Sequence, residues 1–245
     1  MGTISAKSFR IYSVAQSWGY FALGATKESR QSLQSAKEEL RIYEGHVPLA
    51  WPPSSREALD LGTISDYPPG VRENASQYNH AALWLAQALF ASGDPDGGMV
   101  IINAVNPFKR SETQEKASVY QGEPYVVAAE IFSAPTYSGR AGWTWYTASS
   151  GMFYRTILEY VLGLKREGDR LTFSPSFPSD WNSASIELPF GGSTYHIRFE
   201  VHKNVLGQLK VTLDAREAAH ALVVLVDDGQ KHEVVVRIHK SPDTI

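Results

Sequence analysis

GRAGWTWYTASSGMFYRTILEYVLGL, residues 139–164, is where the chain changes its period. After a Gly- and Trp-rich lead, Phe153, Ile157, Tyr160, Val161 and Leu164 recur at the spacing of a helix face, so a helix starts at or just after Thr147. Beyond Leu164 the period drops to two. In STYHIRFEVHK (193–203) the apolar Tyr195, Ile197, Phe199 and Val201 alternate with His196, Arg198, Glu200 and His202, as in a half-buried strand. Leu209, Val211 and Leu213 repeat that pattern, ALVVLV (221–226) reads as a strand buried on both faces, and residues 227–230 read as a hairpin turn into HEVVVRI. No tryptophan lies beyond Trp181. The expected class is α+β, with helical hairpins over 1–163 and an antiparallel, jelly-roll-like β-sandwich over 164–245.

Upstream the spacing is helical. Ile11, Val14, Ala15, Trp18 and Ala22 predict a helix over 9–24, and Leu33, Ala36 and Leu40 one over 27–43, joined by a glycine turn into an αα-hairpin. Residues 45–76 form a long proline-rich loop, expected to be ordered and to line a site. Tyr78, Ala81, Ala82, Leu85 and Leu89 mark one face of a helix over 77–91; SGDPDGG (92–98) stops it, and residues 99–105 form a second helix. SETQEKAS (111–118) reads as a polar loop and EPYVVAAEIFSAP (123–135) as a short helix.

The 245 residues are 43% hydrophobic and 20% charged, with net charge −3 and no cysteine. That excludes disulfides, thiol nucleophiles and Cys-ligated metals, and gives no basic surplus for nucleic acid. No run approaches the roughly 20 apolar residues of a membrane span. The first residues, MGTISAKSFR, have no apolar leader core, so the cytoplasm is the default location.

The chemistry concentrates around the opening stretch. A helix start offers free N–H groups and a positive dipole end to an anion, and Thr147 stands there with a hydroxyl. Trp143, Trp145 and Tyr146 suit a sugar site, since flat rings stack on pyranose faces; a Trp-rich core entering a helix is the alternative. His80, in the first turn of the helix over 77–91, can meet an anion in the same way or be a hydrogen-bonded core histidine. Glu73 and Glu123 are carboxylates beside aromatics and prolines, placed to accept sugar hydroxyls or to act in acid–base work. Arg72 and Arg140 suit an oxyanion or a surface ion pair. The other histidines have no partner at metal-ligand spacing.

AQSW (15–18), YPPGVREN (67–74), QYNHAALW (77–84), NPF (106–108), EPYVVAAE (123–130), GRAGWTWYTASSG (139–151) and LGLKREGDRL (162–171) occur in the order of one known family. Together they resemble the C-terminal part of glycoside hydrolase family 94, which contains inverting cellobiose and chitobiose phosphorylases and the phosphorylase-like domain of cyclic β-1,2-glucan synthases. The last is the nearest in kind. The resemblance implies the closing part of an (α/α)₆ six-hairpin barrel followed by a β-sandwich. It implies phosphate binding by His80 and by Thr147 with Ala148, where the family usually has Thr-Gly, and sugar contacts by Gln77 and Glu123. At Ala148 a positive φ would be strained.

The implied reaction is attack of inorganic phosphate on the anomeric carbon of a β-glucoside or β-glucan oligosaccharide, while an aspartic acid protonates the glycosidic oxygen and a sugar 1-phosphate leaves. No motif for that acid occurs in these residues. The expectation is therefore a fragment carrying the phosphate-binding half of the site, with no cofactor, little activity alone and exposed apolar helix faces. Its partners would be the missing N-terminal half or a second copy, and a parent synthase could be membrane-associated. Two alternatives stand beside it: a non-catalytic carbohydrate-binding module, and a small glycoside hydrolase using Glu73 or Glu123.

Overall fold

A computed structural model describes residues 9–42, 45–54, 62–145, 147–203 and 207–240. The described residues form two compact units, one up to Thr156 and one from Ile157. In the first, β1 (Ile11–Tyr12) runs straight into α1 (Ser13–Leu23), and α2 (Lys27–Glu39) follows a turn at Gly24. The helix expected from residue 9 starts at Ser13 because Ile11 and Tyr12 pair with Trp51 and Ala50 of β2 (Ala50–Trp51). Its buried side also differs from the expected one. Ser13, Ser17 and Tyr20 are inside, while Ala15, Trp18 and Ala22 are exposed. Tyr20 holds this rotation, its hydroxyl donating to the Ala91 carbonyl at 2.9 Å.

The next strand, β3 (Gln77–Tyr78), leads into α3 (Asn79–Ser92), whose side chains are buried nearly all round rather than on one face. Gly93, at φ +87°, ends it, and Asp94 at once caps α4 (Pro95–Val105) by accepting from the Gly97 N–H at 2.9 Å. The second helix thus begins at Pro95, a residue pre-set for a first helical position, and SGDPDGG is both stop and start. Both helix pairs, α1 with α2 and α3 with α4, have connections too short for anything but hairpins. After α5 (Pro107–Arg110), the expected polar loop contains α6 (Gln114–Tyr120), capped by the Thr113 hydroxyl.

The helix expected within 123–135 does not form. Glu130–Ile131 is β4, flanked by β3 and by β5 (Ala141–Gly142). The backbone groups that such a helix would use internally are engaged sideways: Asn79 donates to the carbonyls of Ala128 (2.8 Å) and Ala129 (2.9 Å), and the Ala129 N–H donates to Trp143 (2.9 Å). The first unit ends with α7 (Thr147–Arg155), continued by a π-helical turn, Thr156–Val161.

The second unit holds β6 (Leu164–Glu167), β7 (Arg170–Phe173), β8 (Ser183–Phe190), β9 (Ser193–Lys203), β10 (Lys210–Leu213), β11 (Arg216–Glu217), β12 (Leu222–Val224) and β13 (Lys231–Lys240). They form a three-stranded sheet, β12-β7-β6, and a five-stranded sheet, β11-β10-β13-β9-β8. Phe173 of the smaller sheet meets Phe199 of the larger edge-on at 6.1 Å, with Phe177 5.6 Å from Phe199. The alternation along β9 is as expected, with Tyr195, Ile197 and Phe199 buried.

The wholly antiparallel arrangement is not. Strands β9 and β13 run parallel over ten residue pairs, Lys231↔Thr194 to Lys240↔Lys203. A parallel pair needs a long crossover, and residues 204–230 supply it. That also corrects the hairpin expected at 227–230, since the strand before it, β12, pairs with β7 in the other sheet. ALVVLV is not buried on both faces either: Val223 and Leu225 are inside, but Val224 and Val226 are about half exposed, because β12 is an edge strand. No helix among the described residues is long and apolar enough to cross a membrane.

Candidate functional site

The small sheet β3-β4-β5 positions the site. β4 is antiparallel to both neighbours, so β3 and β5 point the same way. Helix α3 follows β3 directly, and α7 follows β5 after residues 143–146. Gln87, two turns into α3, donates to the Thr156 hydroxyl at 2.9 Å and lies 2.9 Å from Met152 Sδ, in and just beyond α7. The two helices therefore leave the same end of the sheet and pack side by side.

Each turn carries residues singled out from the sequence. His80 is the second residue of α3, half-buried and edge-on to Trp84 at 4.6 Å. Burial holds its pKa below the ordinary value, so the imidazole is neutral at pH 7 and has one N–H to donate. Trp84 in turn meets Trp18 at 5.4 Å. Thr147 is the first residue of α7; its side chain, like the whole of Tyr146, lies outside the described residues. Ala148 follows, exposed and inside the helix. Its φ is not positive, so alanine replaces glycine there without strain.

The strain sits instead at Trp143 (φ +43°) and Trp145 (φ +65°). A bulky residue in this region costs roughly 1–3 kcal/mol. Specific contacts hold both: the Arg72 guanidinium lies 4.6 Å over the Trp143 ring, and the Trp145 indole N–H donates to Glu123 Oε1 at 3.0 Å. Tyr125 meets Trp145 edge-on at 6.2 Å. Despite this the two tryptophans are 58% and 63% exposed. They are not a core entering a helix; they are rings fixed in place and left open to solvent.

Glu123 is held below the usual carboxylate pKa by its own backbone N–H, then by Trp145 and Thr144, so it is anionic at neutral pH. Glu73 is half-buried, 3.9 Å from Arg72 Nε. Tyr12 faces the same group: burial raises its pKa first, and Glu73 and Tyr78 raise it further. Arg140 is exposed and lies 6.0 Å over Tyr137. Gln77 is wholly buried with its amide committed inside the protein, donating to Asn79 Oδ1 (2.8 Å) and the Ala104 carbonyl (3.0 Å) and accepting from the Val47 N–H (3.0 Å) and Arg110 (3.3 Å).

Sequence reasoning passed over Glu130. Its carboxylate is fully buried, paired with Arg72 Nη1 at 3.0 Å and accepting from the Ser76 hydroxyl at 3.1 Å. A lone carboxylate inside the apolar run VVAAEIF was the available signal, because such a charge persists inside only when paired. Through Arg72 it fixes the platform under Trp143. Among the described residues no group of three or more His, Asp or Glu could hold a metal ion.

The sequence is similar to several known proteins. The cyclic β-(1,2)-glucan synthase NdvB of Rhizobium meliloti (strain 1021) is 39% identical over 199 residues, covering 80% of this chain and 7% of that protein. Solabiose phosphorylase of Paenibacillus borealis is 23% identical over 239 residues (96% and 31%), and N,N′-diacetylchitobiose phosphorylase of Vibrio proteolyticus is 27% identical over 201 residues (82% and 25%). The chain thus spans less than a third of the length of each of these relatives. The catalytic domain of the glycosyl hydrolase 94 superfamily matches residues 1–163, and the chain belongs to that superfamily.

Proposed function

We propose that this chain forms the phosphate-binding and sugar-stacking face of a site for phosphorolysis of β-glucosides. The observation that carries the reading is the shared end of the small sheet from which α3 and α7 start, with His80 and Ala148 in their first turns and the strained, exposed Trp143 and Trp145 leading into α7. His80 would donate to a phosphate oxygen, and the Ala148 N–H with Thr147 would bind the others. Trp143 and Trp145 would stack a glucose unit while Glu123 accepts its hydroxyls. Glu73 would stand at the edge of that cleft, with Arg72 beside it.

In this reading the aspartic acid that protonates the leaving oxygen is not one of these residues. Glu123 is a poor substitute: a general acid needs a raised pKa, and its neighbours depress it. The two hairpins and α7 would be part of an (α/α)₆ barrel over residues 1–163, with a separate strand domain over 164–245. Completion of the site would fall to a further protein segment or a second copy of the chain.

Calorimetric titration of the full chain with inorganic phosphate, alongside an assay for glucose 1-phosphate release from cellobiose and β-1,2-glucooligosaccharides, tests this. Phosphate should bind, and His80→Ala should weaken it by about 10-fold or more, the scale of one hydrogen bond to a charged group. Sugar 1-phosphate should not accumulate. Oligosaccharide binding indifferent to phosphate would instead establish a carbohydrate-binding module, the reading that the exposed rings also support. Steady release abolished by Glu123→Gln or Glu73→Gln would establish a self-sufficient enzyme.

A further inference from the structure

A second cleft lies across the small sheet. Consecutive strand residues point to opposite faces, and while Tyr78 lies near Tyr12, Gln77 faces Arg110. Around Arg110 is a cavity of about 890 Å³, lined by Asn103, Lys109, Thr113, Lys116 and Tyr120, with Glu115 on its wall. That is room for a sugar-sized molecule.

Two features of its wall are incomplete without a ligand. Arg110 is half-buried, yet among the described residues no carboxylate pairs with it. Its Nε donates to the Ala104 carbonyl at 2.7 Å, and Nη2 donates to the Gly45 carbonyl at 2.7 Å and to Gln77. These neutral acceptors orient the guanidinium without neutralising it, and Nη1 has no acceptor among them. A buried cation in that state is unfavourable unless an anion joins it. Tyr120 is the second feature. It is 1% exposed, and its hydroxyl makes no hydrogen bond among the described residues; the Ala128 N–H stands near without the geometry of one. A buried hydroxyl is seldom left so.

At the mouth, Lys109 (3.2 Å) and Lys116 (2.5 Å) share one carboxylate, Glu112. With Glu115 counted, Lys109, Arg110 and Lys116 still outnumber the acids. The surplus is positive, and its least solvated member is Arg110.

We infer that the Arg110 cleft is a second binding site, separate from the His80 face, for an oxyanion carried on a small hydroxylated molecule: a sugar carboxylate or a sugar phosphate. Arg110 Nη1 and the Tyr120 hydroxyl donate to the anion, Lys116 adds charge at the mouth, and Asn103 and Thr113 meet neutral hydroxyls. The inference does not depend on phosphorolysis at the other face.

The test is calorimetry of the full chain with glucuronate, glucose 6-phosphate and glucose in phosphate-free, low-salt buffer. One or both charged ligands should bind, more weakly as salt rises and more tightly than glucose, whose stacking on the other face needs no charge; which of the two binds tells carboxylate from phosphate recognition. Arg110→Met and Tyr120→Phe should each weaken binding about 10-fold or more, the scale of a hydrogen bond to a charged group. Tyr120→Phe removes a hydroxyl that bonds nothing among the described residues, so it keeps the fold if Arg110→Met does not. The inference fails if neither charged ligand binds at about 20 mM, which corresponds to roughly 2 kcal/mol, if glucose binds equally well, or if neither Arg110→Met nor Tyr120→Phe weakens binding.

Discussion

In the unit up to Thr156, Asn74, Gln77, Asn79, Gln87 and Glu130 are all sealed from solvent, whereas from Ile157 onward Ser193 is the only polar side chain so buried among the described residues. The strand unit closes on Tyr195, Ile197, Phe199, Val234 and Val236. These are two ways of making a core. An apolar core is stabilised by area and tolerates rearrangement, while a buried polar network is favourable only when every group has its partner, so it admits one geometry. The helical unit uses the second kind where precision matters: Asn74 alone ties the loop before β3 through the Ser54 N–H, the Ser54 carbonyl and the Tyr67 carbonyl, at 2.8–2.9 Å. The candidate site lies on that network.

The contrast implies different responses to damage. The largest effect should come from Glu130→Ala, which strands the Arg72 guanidinium and should lose about 3–5 kcal/mol in urea denaturation. That would match Phe199→Ala, where the loss, also about 3–5 kcal/mol, comes from a cavity. The pair can be told apart: combining Arg72→Met with Glu130→Leu should restore most of the stability, since an apolar pair of similar volume avoids the unpaired charge. No such rescue by a second substitution is expected at Phe199. If Glu130→Ala alone is neutral, the polar network does not carry the helical unit.

A smaller effect, about 1 kcal/mol, is expected for Asp94→Ala. It removes the cap of α4 together with the 2.6 Å ion pair to Lys37, and circular dichroism during thermal unfolding would register it.

The smallest effect belongs to the rim of the strand unit. His232 contacts Asp214 (2.9 Å) and Asp228 (3.1 Å). Hydrogen bonding to Asp214 raises the His232 pKa ahead of the opposing effect of desolvation, with Asp228 adding to the rise. A raised pKa contributes stability that is fully present below the unfolded value of about 6.5 and is lost as pH rises through the folded value. Both aspartates are depressed, Asp214 first by His232 and Asp228 first by the Gln230 N–H, so their contribution is present above about 4 and lost as pH falls through their folded values. These groups are near the surface, so the change should be slight and salt-sensitive. Comparison with Asp214→Asn isolates this contribution: the substitution should lower the unfolding midpoint more at pH 5.5 than at pH 8.5, whereas the lowered pKa values of His46, at about 4, and His80 favour the higher pH in both proteins.

The helices α2 and α3 and the strand β9 were legible because each announces itself locally, by period or by a helix start. Other elements were decided at a distance. The strand β4 lies in EPYVVAAEIFSAP, whose local pattern suggests a helix; its partners are some 50 residues upstream and ten downstream. The face of α1 that is buried carries Ser13, Ser17 and Tyr20 rather than its apolar stripe, and there the Tyr20 hydroxyl bonds the Ala91 carbonyl 71 residues away. The parallel pairing of β9 with β13 has no signature in either strand, since period two is the same for both directions.

From residue types alone came the two-part composition, the superfamily motifs and the pairing of a phosphate-type helix start with stacking rings. Those are properties of neighbours along the chain, and neighbours suffice to set period, capping and motif. Bringing the starts of α3 and α7 to one end of the small sheet, turning Trp143 and Trp145 outward in a left-handed backbone, and burying Glu130 against Arg72 required strands far apart in sequence to pair. Whether a charge is buried, and whether a ring meets solvent or core, depends on what the rest of the chain places against it, and no local pattern carries that information.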